Sequence, residues 1–181
     1  RGASVLLVGR NVQALEDAAR ALGGRSARVD WCAADLATAA GRARVVEAAN
    51  HWGGGVNVLV NSAGLGDFGM PDAFDDAAID RLFAINAVAP MQMTRALLPT
   101  LRSQPMSAIL NIGSVFGSLG YPGFTAYSAT KFALRGFTEA LRRELADSKV
   151  GVHYFAPRAT KTGMNASAVD RMNAELKVAM D

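Results

Sequence analysis

Tyr127 and Lys131, four residues apart, are the side chains in this sequence that most suggest chemistry. This spacing places both side chains on one face of a helix. A phenol with its usual pKa near ~10 is a poor base at neutral pH, but a neighbouring ammonium favours the phenolate and lowers that pKa. The pair can therefore move a proton to or from a substrate oxygen. Alone the pattern is weak, because surface helices also carry it by chance.

Further polar and small residues lie at or just after predicted strands, where parallel sheets bind their ligands. Ser114 follows one strand and can hydrogen-bond a substrate oxygen, although a turn serine is the simpler explanation. The small residues of the segment Asn61–Gly64 let a flat cofactor approach the backbone. Asp35-Leu36 and Arg10 follow two other strands, and Asn86 lies in a helical stretch. Each position has an ordinary structural explanation, but together they favour a binding site.

Short apolar runs alternate with amphipathic stretches, and this alternation predicts the elements that position these side chains. Continuous apolar runs are typical of strands buried on both faces, and we predict strands over residues 4–9, 27–32, 56–60, 108–112 and 150–155. We predict helices over residues 11–22, 38–52, 79–102, 126–148 and 168–180, with Pro90 kinking the third. The order predicts a single α/β domain over residues 1–181, with a parallel sheet between two layers of helices.

The composition restricts the classes of function. Of the 181 residues, 50% are hydrophobic and 19% are charged, which favours a large core over disorder. The single cysteine, Cys32, excludes an internal disulfide, and two histidines offer little to a metal site. The net charge of +3 comes from scattered basic residues, which argues against nucleic-acid binding. No apolar run reaches the ~18 residues of a membrane span and no targeting signal is visible, so we expect a cytoplasmic protein.

In order and spacing these residues resemble the short-chain dehydrogenase/reductase family. The resemblance covers nearly the whole sequence and rests on Asp35-Leu36, Asn61–Gly64, Asn86, Ser114, Tyr127-x-x-x-Lys131 and Pro157 through Thr162. It implies a Rossmann-like, doubly wound parallel sheet of three-layer α/β/α form. It also implies an NAD(P)(H)-dependent oxidoreductase that transfers hydride between the cofactor and a carbonyl or secondary alcohol, working as a homodimer or homotetramer.

The resemblance also assigns roles to residues. The implied catalytic tetrad is Asn86, Ser114, Tyr127 and Lys131. Tyr127 would exchange the proton, while Ser114 would orient the substrate oxygen. Lys131 would lower the pKa of Tyr127 and bind the nicotinamide ribose, and Asn86 would hold a water of a proton relay. The implied cofactor contacts, with no metal ligand among them, are Arg10, Asp35, Leu36, Asn61, Ala63, Gly64, Tyr127, Lys131, Pro157 and Thr162.

The residues after the first predicted strand favour NADP(H) over NAD(H). An acidic residue there would accept hydrogen bonds from the ribose 2′-hydroxyl and favour NAD. This sequence has Gly9 and then Arg10, and a guanidinium pairs well with a 2′-phosphate. Alternatively, Arg10 pairs on the surface with Glu16 or Asp17.

The sequence departs from the family pattern in three places. Ser62 stands where Asn is usual, and Arg158 follows Pro157 where Gly is usual. The glycine-rich turn that would bind the pyrophosphate is not found. Because the first strand of such a fold is central, we expect the strand over residues 4–9 to have no partner on the side of strand 56–60. We therefore expect these residues to be most of a larger domain, without its first strand and helix and its final strand.

Two other functions stay open. A non-catalytic nucleotide-binding or scaffold protein can use the same fold, and an epimerase or dehydratase can use the same Tyr/Lys pair. For an enzyme, an apolar substrate pocket is predicted by Phe116, Leu119, Tyr121, Phe124, Met164, Ala166, Ala168, Val169 and Met172, although simple packing also explains them. The helices over 79–102 and 126–148 resemble the family's subunit interface. The apolar residues of the second can serve that interface or the core, and these are Phe132, Phe137, Leu141 and Leu145.

Overall fold

The computed structural model describes residues 2–23, 28–53, 55–158 and 174, and the described strands are all parallel. In chain order the elements are β1 (Val5–Gly9), α1 (Val12–Ala21), β2 (Val29–Ala33), α2 (Ala39–Asn50), β3 (Val58–Asn61), α3 (Asp76–Phe83), α4 (Ala89–Ser103), β4 (Ser107–Ile112), α5 (Thr125–Glu144) and β5 (Val150–Phe155). Short 3-10 turns occupy Pro71–Ala73 and Val115–Gly117. The predicted α/β class is confirmed, with element bounds shifted by a few residues.

The strands form two sheets within the described part of the chain. β1 pairs with β2, and β4 lies between β3 and β5. No described strand lies between β1 and β3, so the predicted break between these two strands is confirmed for the described residues. Val58 and Val60 of β3 are 56% and 51% exposed.

One hydrophobic core joins the two sheets. Its buried members come from both sheets and from three helices, and they include Cys32, Val45, Leu97, Leu101, Ile109, Leu141 and Val152. Burying a Leu or Ile side chain of this kind contributes about 1.5–3 kcal/mol. Leu141 and Leu145 are buried in this core, whereas Phe132 on the same helix is exposed. The core fixes the carboxyl ends of the strands relative to one another, and the candidate residues lie at those ends.

Side-chain caps begin the first three helices. Asn11 accepts a hydrogen bond from the N–H of Ala14 at α1, and Thr38 accepts one from Gly41 at α2. Asp75 caps α3 in the same way. Such a cap satisfies an N–H that the helix itself leaves unpaired and contributes about 1 kcal/mol. Asn11 and Thr38 are the first residues of two of the predicted helices, and the structure makes them the caps.

The helical stretch around Asn86 differs from the prediction. The helix starts earlier than predicted, at Asp76, and a π-helical stretch over Ala84–Val88 separates α3 from α4. Pro90 lies in the first turn of α4 rather than inside one long helix. Because proline has no N–H, it cannot donate to the carbonyl of Asn86 four residues earlier. A change of helix type at this point accommodates the missing donor, and such π-helical turns often occur at functional sites.

Part of the prediction falls outside the described residues. Thr162 and the helix over residues 168–180 lie there, except for Ala174, which is helical. Among the described residues, no helix combines the length and the apolar character needed to cross a membrane.

Candidate functional site

Ser114 and Tyr127 meet at the carboxyl end of β4. Ser114 follows this strand and caps the 3-10 turn, where its Oγ accepts a hydrogen bond from the N–H of Phe116 at 3.1 Å. Tyr127 lies half-buried in the first turn of α5, near enough to Ser114 for that side chain to lower the pKa of its phenol. Two hydroxyl groups arranged in this way can contact one substrate oxygen together.

Lys131 lies one turn after Tyr127 and is only 6% exposed. Its Nζ lies 5.7 Å from the centroid of the Tyr127 ring and donates to the backbone oxygen of Ile112 at 3.1 Å. Burial lowers the pKa of this ammonium to about 8. Within the described ranges, no carboxylate forms an ion pair with it. Because an ammonium has three donors, donors remain for a ligand.

Asn86 is fully buried in the π-helical stretch and is held on two sides. Its Oδ1 accepts from the N–H of Leu65 at 2.8 Å, and its Nδ2 donates to the backbone oxygen of Leu65 at 2.8 Å. The same Nδ2 also donates to Oγ1 of Thr130 at 3.1 Å. Both amide protons are therefore used, and the side chain joins the loop after β3 to helix α5.

Asn61 lies at the end of β3, but its side chain points into the interior. Its Nδ2 donates to Oδ1 of Asn111 at 2.8 Å and to Oγ1 of Thr94 at 3.4 Å. Asn111 in turn donates to Oγ1 of Thr138 at 2.9 Å. The Asn61 amide therefore ties β3 to β4, and its backbone is the part that is left to line a cofactor groove. No local sequence pattern predicts this buried network, because its members lie up to 50 residues apart.

Gly64 forms the base of a narrow space between Asn86 and Lys131. A Cβ added at Gly64 would lie 3.3 Å from Oδ1 of Asn86 and 3.7 Å from Nζ of Lys131. The absence of a side chain thus keeps open the space in front of the lysine donors. A ribose carries hydroxyl acceptors for such donors, so these residues fit a nicotinamide nucleotide. Ala63, the preceding residue, is exposed beside this space.

Arg10 and Asp35 follow the neighbouring strands β1 and β2. Asp35 accepts from the N–H of Ala37 at 2.9 Å and pairs with Arg81 of α3 at 3.3 Å. The hydrogen bond from Ala37, followed by the charges of Arg81 and Arg10, lowers the pKa of this carboxyl. Leu36, which directly follows Asp35 in the chain, is half-buried. The Asp35 carboxylate therefore joins its own loop to α3. Its contact with an adenine ring stays a prediction.

The pKa of the Tyr127 phenol is raised, so the prediction that Lys131 lowers it is wrong for the protein alone. Burial is the largest cause, the Ser114 side chain acts against it, and the nearby Tyr154 phenol raises the pKa further. The Nζ of Lys131 donates to the Ile112 carbonyl rather than to the phenol.

Tyr154 of β5 is a neighbour of the site that the sequence analysis missed. Its hydroxyl lies 3.4 Å from both the backbone N and the backbone O of Ser114. A Cβ at Gly113 or at Gly117 would fall 2.2 Å from this hydroxyl. The phenol thus requires glycine on both sides of the Ser114 turn. Tyr154 and Ser114 are 40 residues apart, so no local pattern connects them.

Aromatic side chains form one wall beside Tyr127. Phe116 and Phe124 lie 6.3 and 6.2 Å from its ring, centroid to centroid. Tyr121 stacks on Phe116 at 5.4 Å, and Phe68 packs edge-on against Phe124 at 5.3 Å. The predicted aromatic residues between Ser114 and Tyr127 are therefore brought together, and Phe68 from the loop after β3 joins them.

Pro157 lies at the same end of the sheet as Ser114. Ile112 and Phe155 are opposite each other in the β4–β5 pair, and Ser114 and Pro157 each follow two residues later. Thr162 lies outside the described residues. The described candidates therefore gather at the carboxyl ends of the strands, with Tyr127, Lys131 and Asn86 on the adjoining helices.

Known proteins support a family assignment. The family described as short chain dehydrogenase matches residues 1–173. The mouse protein named dehydrogenase/reductase SDR family member 7B is 33% identical over 179 residues, which cover 93% of this chain and 53% of the mouse protein. The bovine 3-ketodihydrosphingosine reductase is 36% identical over 118 residues, covering 65% of this chain and 36% of the bovine protein.

A solved structure agrees with this match. The short-chain dehydrogenase from Sphingobium yanoikuyae in complex with NADPH has a TM-score of 0.85 and 30% identity, covering 93% of this chain and 66% of that one. The chain spans about half the length of the mouse relative and less of the bovine one. With its parallel strands and a family match over nearly all its residues, the chain belongs to the short-chain dehydrogenase/reductase family.

Proposed function

We propose that the protein is an NADP(H)-dependent oxidoreductase that interconverts a carbonyl and a secondary alcohol. One observation carries the proposal: the neighbouring side chains of Ser114 and Tyr127 lie beside a buried Lys131 that has no carboxylate partner in the described part of the chain. Burying an unpaired ammonium destabilises a fold, so stability does not explain it. A role in proton transfer next to a bound nucleotide explains why this lysine is buried here.

The chemistry divides between the cofactor and the side chains. The nicotinamide would supply or accept the hydride. Ser114 would hold the substrate oxygen, and Tyr127 would give its proton to that oxygen as the alcohol forms. With its raised pKa the phenol is in the protonated, donor form at neutral pH. Lys131 would bind the ribose hydroxyls, and its charge would stabilise the phenolate that remains.

Asn86 would hold the water that returns a proton to the site. Both of its amide protons are bound to Leu65 and Thr130, so the water would bind an oxygen. The second lone pair of Asn86 Oδ1 offers one position where this water would bind. The backbone oxygen of Asn86 offers another, because Pro90 has no N–H to donate to it.

The preference for NADP(H) is supported by Arg10. Arg10 is exposed, and it forms no ion pair within residues 2–23, 28–53 and 55–158. Its predicted alternative partner Asp17 is paired instead with Arg20. A guanidinium at this strand end is available to a 2′-phosphate. The structural neighbour in complex with NADPH supports the same choice.

An apolar ketone is the substrate class that the wall beside Tyr127 favours. The stacked Phe116 and Tyr121 present aromatic surface, and Leu119 of the same loop is 57% exposed. Sugars would find few hydrogen-bonding partners on such a surface. The name of the bovine relative, a reductase of 3-ketodihydrosphingosine, supports a ketone on an apolar chain.

The proposal includes a homodimer or homotetramer whose subunits contact each other through α4 and α5. Phe132 on α5 is 46% exposed, which is unusual for a phenylalanine in the middle of a long helix. Burial against a second copy would remove this ring from water. The cytoplasmic location stays a prediction.

The test is Tyr127→Phe in the complete polypeptide that contains these residues. Turnover of apolar ketones, followed as NADPH oxidation, should fall by about 100-fold or more because the proton donor is removed. NADPH affinity, measured by fluorescence titration, should stay within about threefold, because Phe keeps the ring and Lys131 keeps its donors. Full turnover in Tyr127→Phe would refute the proposal. So would the absence of NADPH-dependent turnover by the unaltered protein on a series of apolar ketones.

A further inference from the structure

We propose that Thr130 is a positioning residue whose hydroxyl holds the proton-transfer turn of α5 against the cofactor side of the site. The inference rests on the function proposed above for Tyr127 and Lys131. Thr130 touches neither substrate nor cofactor in this scheme. It acts through Asn86 and through the backbone of Tyr127.

The Thr130 hydroxyl uses both its donor and its acceptor capacity within the protein. The side chain is fully buried. Its Oγ1 donates to the backbone oxygen of Tyr127 at 2.7 Å and accepts from Nδ2 of Asn86 at 3.1 Å. The bond to Tyr127 closes the first turn of α5 on itself and fixes the direction of the hydroxyl proton. With its proton committed to Tyr127, Oγ1 is an acceptor toward Asn86.

This hydroxyl connects two halves of the site. Asn86 makes its two other side-chain hydrogen bonds to Leu65, which directly follows Gly64. Among the described residues, Thr130 provides the one hydrogen bond between the Asn86 side chain and α5. The loop that would hold the cofactor is thus coupled through Asn86 and Thr130 to the turn that carries the proton donor. Thr130 also directly precedes Lys131 in the chain.

Loss of the hydroxyl should affect the chemical step more than cofactor binding. Without Oγ1, one Nδ2 proton of Asn86 is buried and unpaired, and the α5 turn is free to shift relative to Leu65. A misplacement of about 1 Å between reacting groups lowers a rate by about 100-fold. The contacts that bind the nucleotide stay in place, so kcat should fall while the KM for NADPH changes little.

Thr138 provides a closely matched control on the same helix. It is also fully buried, donates to a backbone oxygen one turn earlier, that of Leu134, at 2.6 Å, and accepts from an asparagine Nδ2, that of Asn111, at 2.9 Å. Its hydrogen-bond partners Leu134 and Asn111 are not members of the proposed tetrad. Removing this hydroxyl should therefore lower stability as much as removing that of Thr130, but without the kinetic effect.

The experiment compares Thr130→Val, Thr130→Ser and Thr138→Val in the complete polypeptide. We expect Thr130→Val to lower kcat by about 10- to 100-fold, with the KM for NADPH within about threefold. Thr130→Ser restores the hydroxyl and should return kcat to within about threefold of the unaltered protein. Thr138→Val should show a similar fall in Tm, of a few degrees, and a kcat within about threefold.

A second measurement does not depend on turnover. The N–H of Leu65 is bonded to Oδ1 of Asn86, so its hydrogen exchange reports how firmly Asn86 is held. Exchange at Leu65 should accelerate by about tenfold in Thr130→Val and stay unchanged in Thr138→Val.

The outcomes separate the two proposals. If the unaltered protein shows no NADPH-dependent turnover, the proposed function is refuted. The coupling between Thr130 and Asn86 is then tested by the exchange rate at Leu65 alone. The role of Thr130 is refuted if Thr130→Val keeps its kcat, if Thr138→Val loses as much kcat as Thr130→Val, or if exchange at Leu65 is the same in all variants.

Discussion

Replacing Lys131 with methionine should stabilise the protein at neutral pH, although Lys131 belongs to the proposed site. Burial lowers the pKa of the ammonium from 10.5 to about 8, and the side chain is only 6% exposed. A shift of about 2.5 units corresponds to about 3.5 kcal/mol at ~1.4 kcal/mol per unit. Below pH 8 the charged form therefore disfavours folding by about this amount. Methionine fills a similar volume without the charge.

The sign of the pH dependence follows from the two pKa values. The folded-state pKa lies below the unfolded one, so the unfolded chain binds more protons between about pH 8 and 10.5, and stability rises with pH there. By pH 10 about 2.5 kcal/mol of the burial penalty is removed. The lost hydrogen bond to the Ile112 oxygen costs the variant about 1 kcal/mol at every pH. Lys131→Met should thus be more stable by about 2.5 kcal/mol at pH 7 and about equally stable at pH 10.

Urea unfolding of the cofactor-free polypeptide at pH 7 and pH 10 measures both values. Lys149→Met is the control, because Lys149 is exposed and its loss should change the free energy of unfolding by less than about 0.5 kcal/mol. A Lys131→Met variant that is less stable than the unaltered protein at pH 7 would refute the reasoning. So would a difference in stability that stays constant between the two pH values.

Two further predictions concern the cofactor and the assembly. Arg10→Ala should lower the ratio of kcat/KM for NADPH to that for NADH by about 10- to 100-fold, because a charge-assisted contact to the 2′-phosphate is lost. Steady-state kinetics with both cofactors measures this ratio, and an unchanged ratio would place the 2′-phosphate elsewhere. Phe132→Lys should shift the homo-oligomer towards monomer, because a charge replaces a ring that is 46% exposed on α5. Light scattering after gel filtration reports the mass, and an unchanged oligomer would exclude this face of α5 as the interface.

Local sequence patterns were sufficient for the elements and for the places of the main candidates. Strands such as Ser107–Ile112 are apolar runs, and caps such as Asn11 and Thr38 mark helix starts in the sequence itself. In a parallel sheet the ligand side is the carboxyl end of each strand, so a residue such as Ser114 can be assigned to the site once its strand is known. The helix spacing of Tyr127 and Lys131 is equally local.

The hydrogen-bond partners inside the site could not be predicted, because they are distant in sequence. Asn86 bonds to Leu65 and Thr130, which are 21 and 44 residues away, and Asn61 bonds to Asn111, 50 residues away. An asparagine in a helix or strand looks the same in sequence whether it faces water or another buried amide. The direction of the Tyr127 pKa was missed for a related reason, since burial depends on tertiary packing that no spacing reveals.

Two threonine–asparagine pairs hold α5 at different points along its length, and only the first of them lies at the turn that carries Tyr127. Thr130 and Thr138 are eight residues apart, which is about 12 Å along the axis and about 80° around it. One therefore holds α5 to the π-helical stretch and the other holds it to β4. Apolar packing is non-directional and would tolerate a small rotation of the helix. Buried hydrogen bonds have preferred directions and are unfavourable to leave unpaired, so the Thr130 pair fixes the turn that carries Tyr127, whereas the Thr138 pair stabilises the helix two turns further on. Displacement of the turn held by Thr130 would move Tyr127 relative to Ser114, which is the displacement that the proposed chemistry tolerates least.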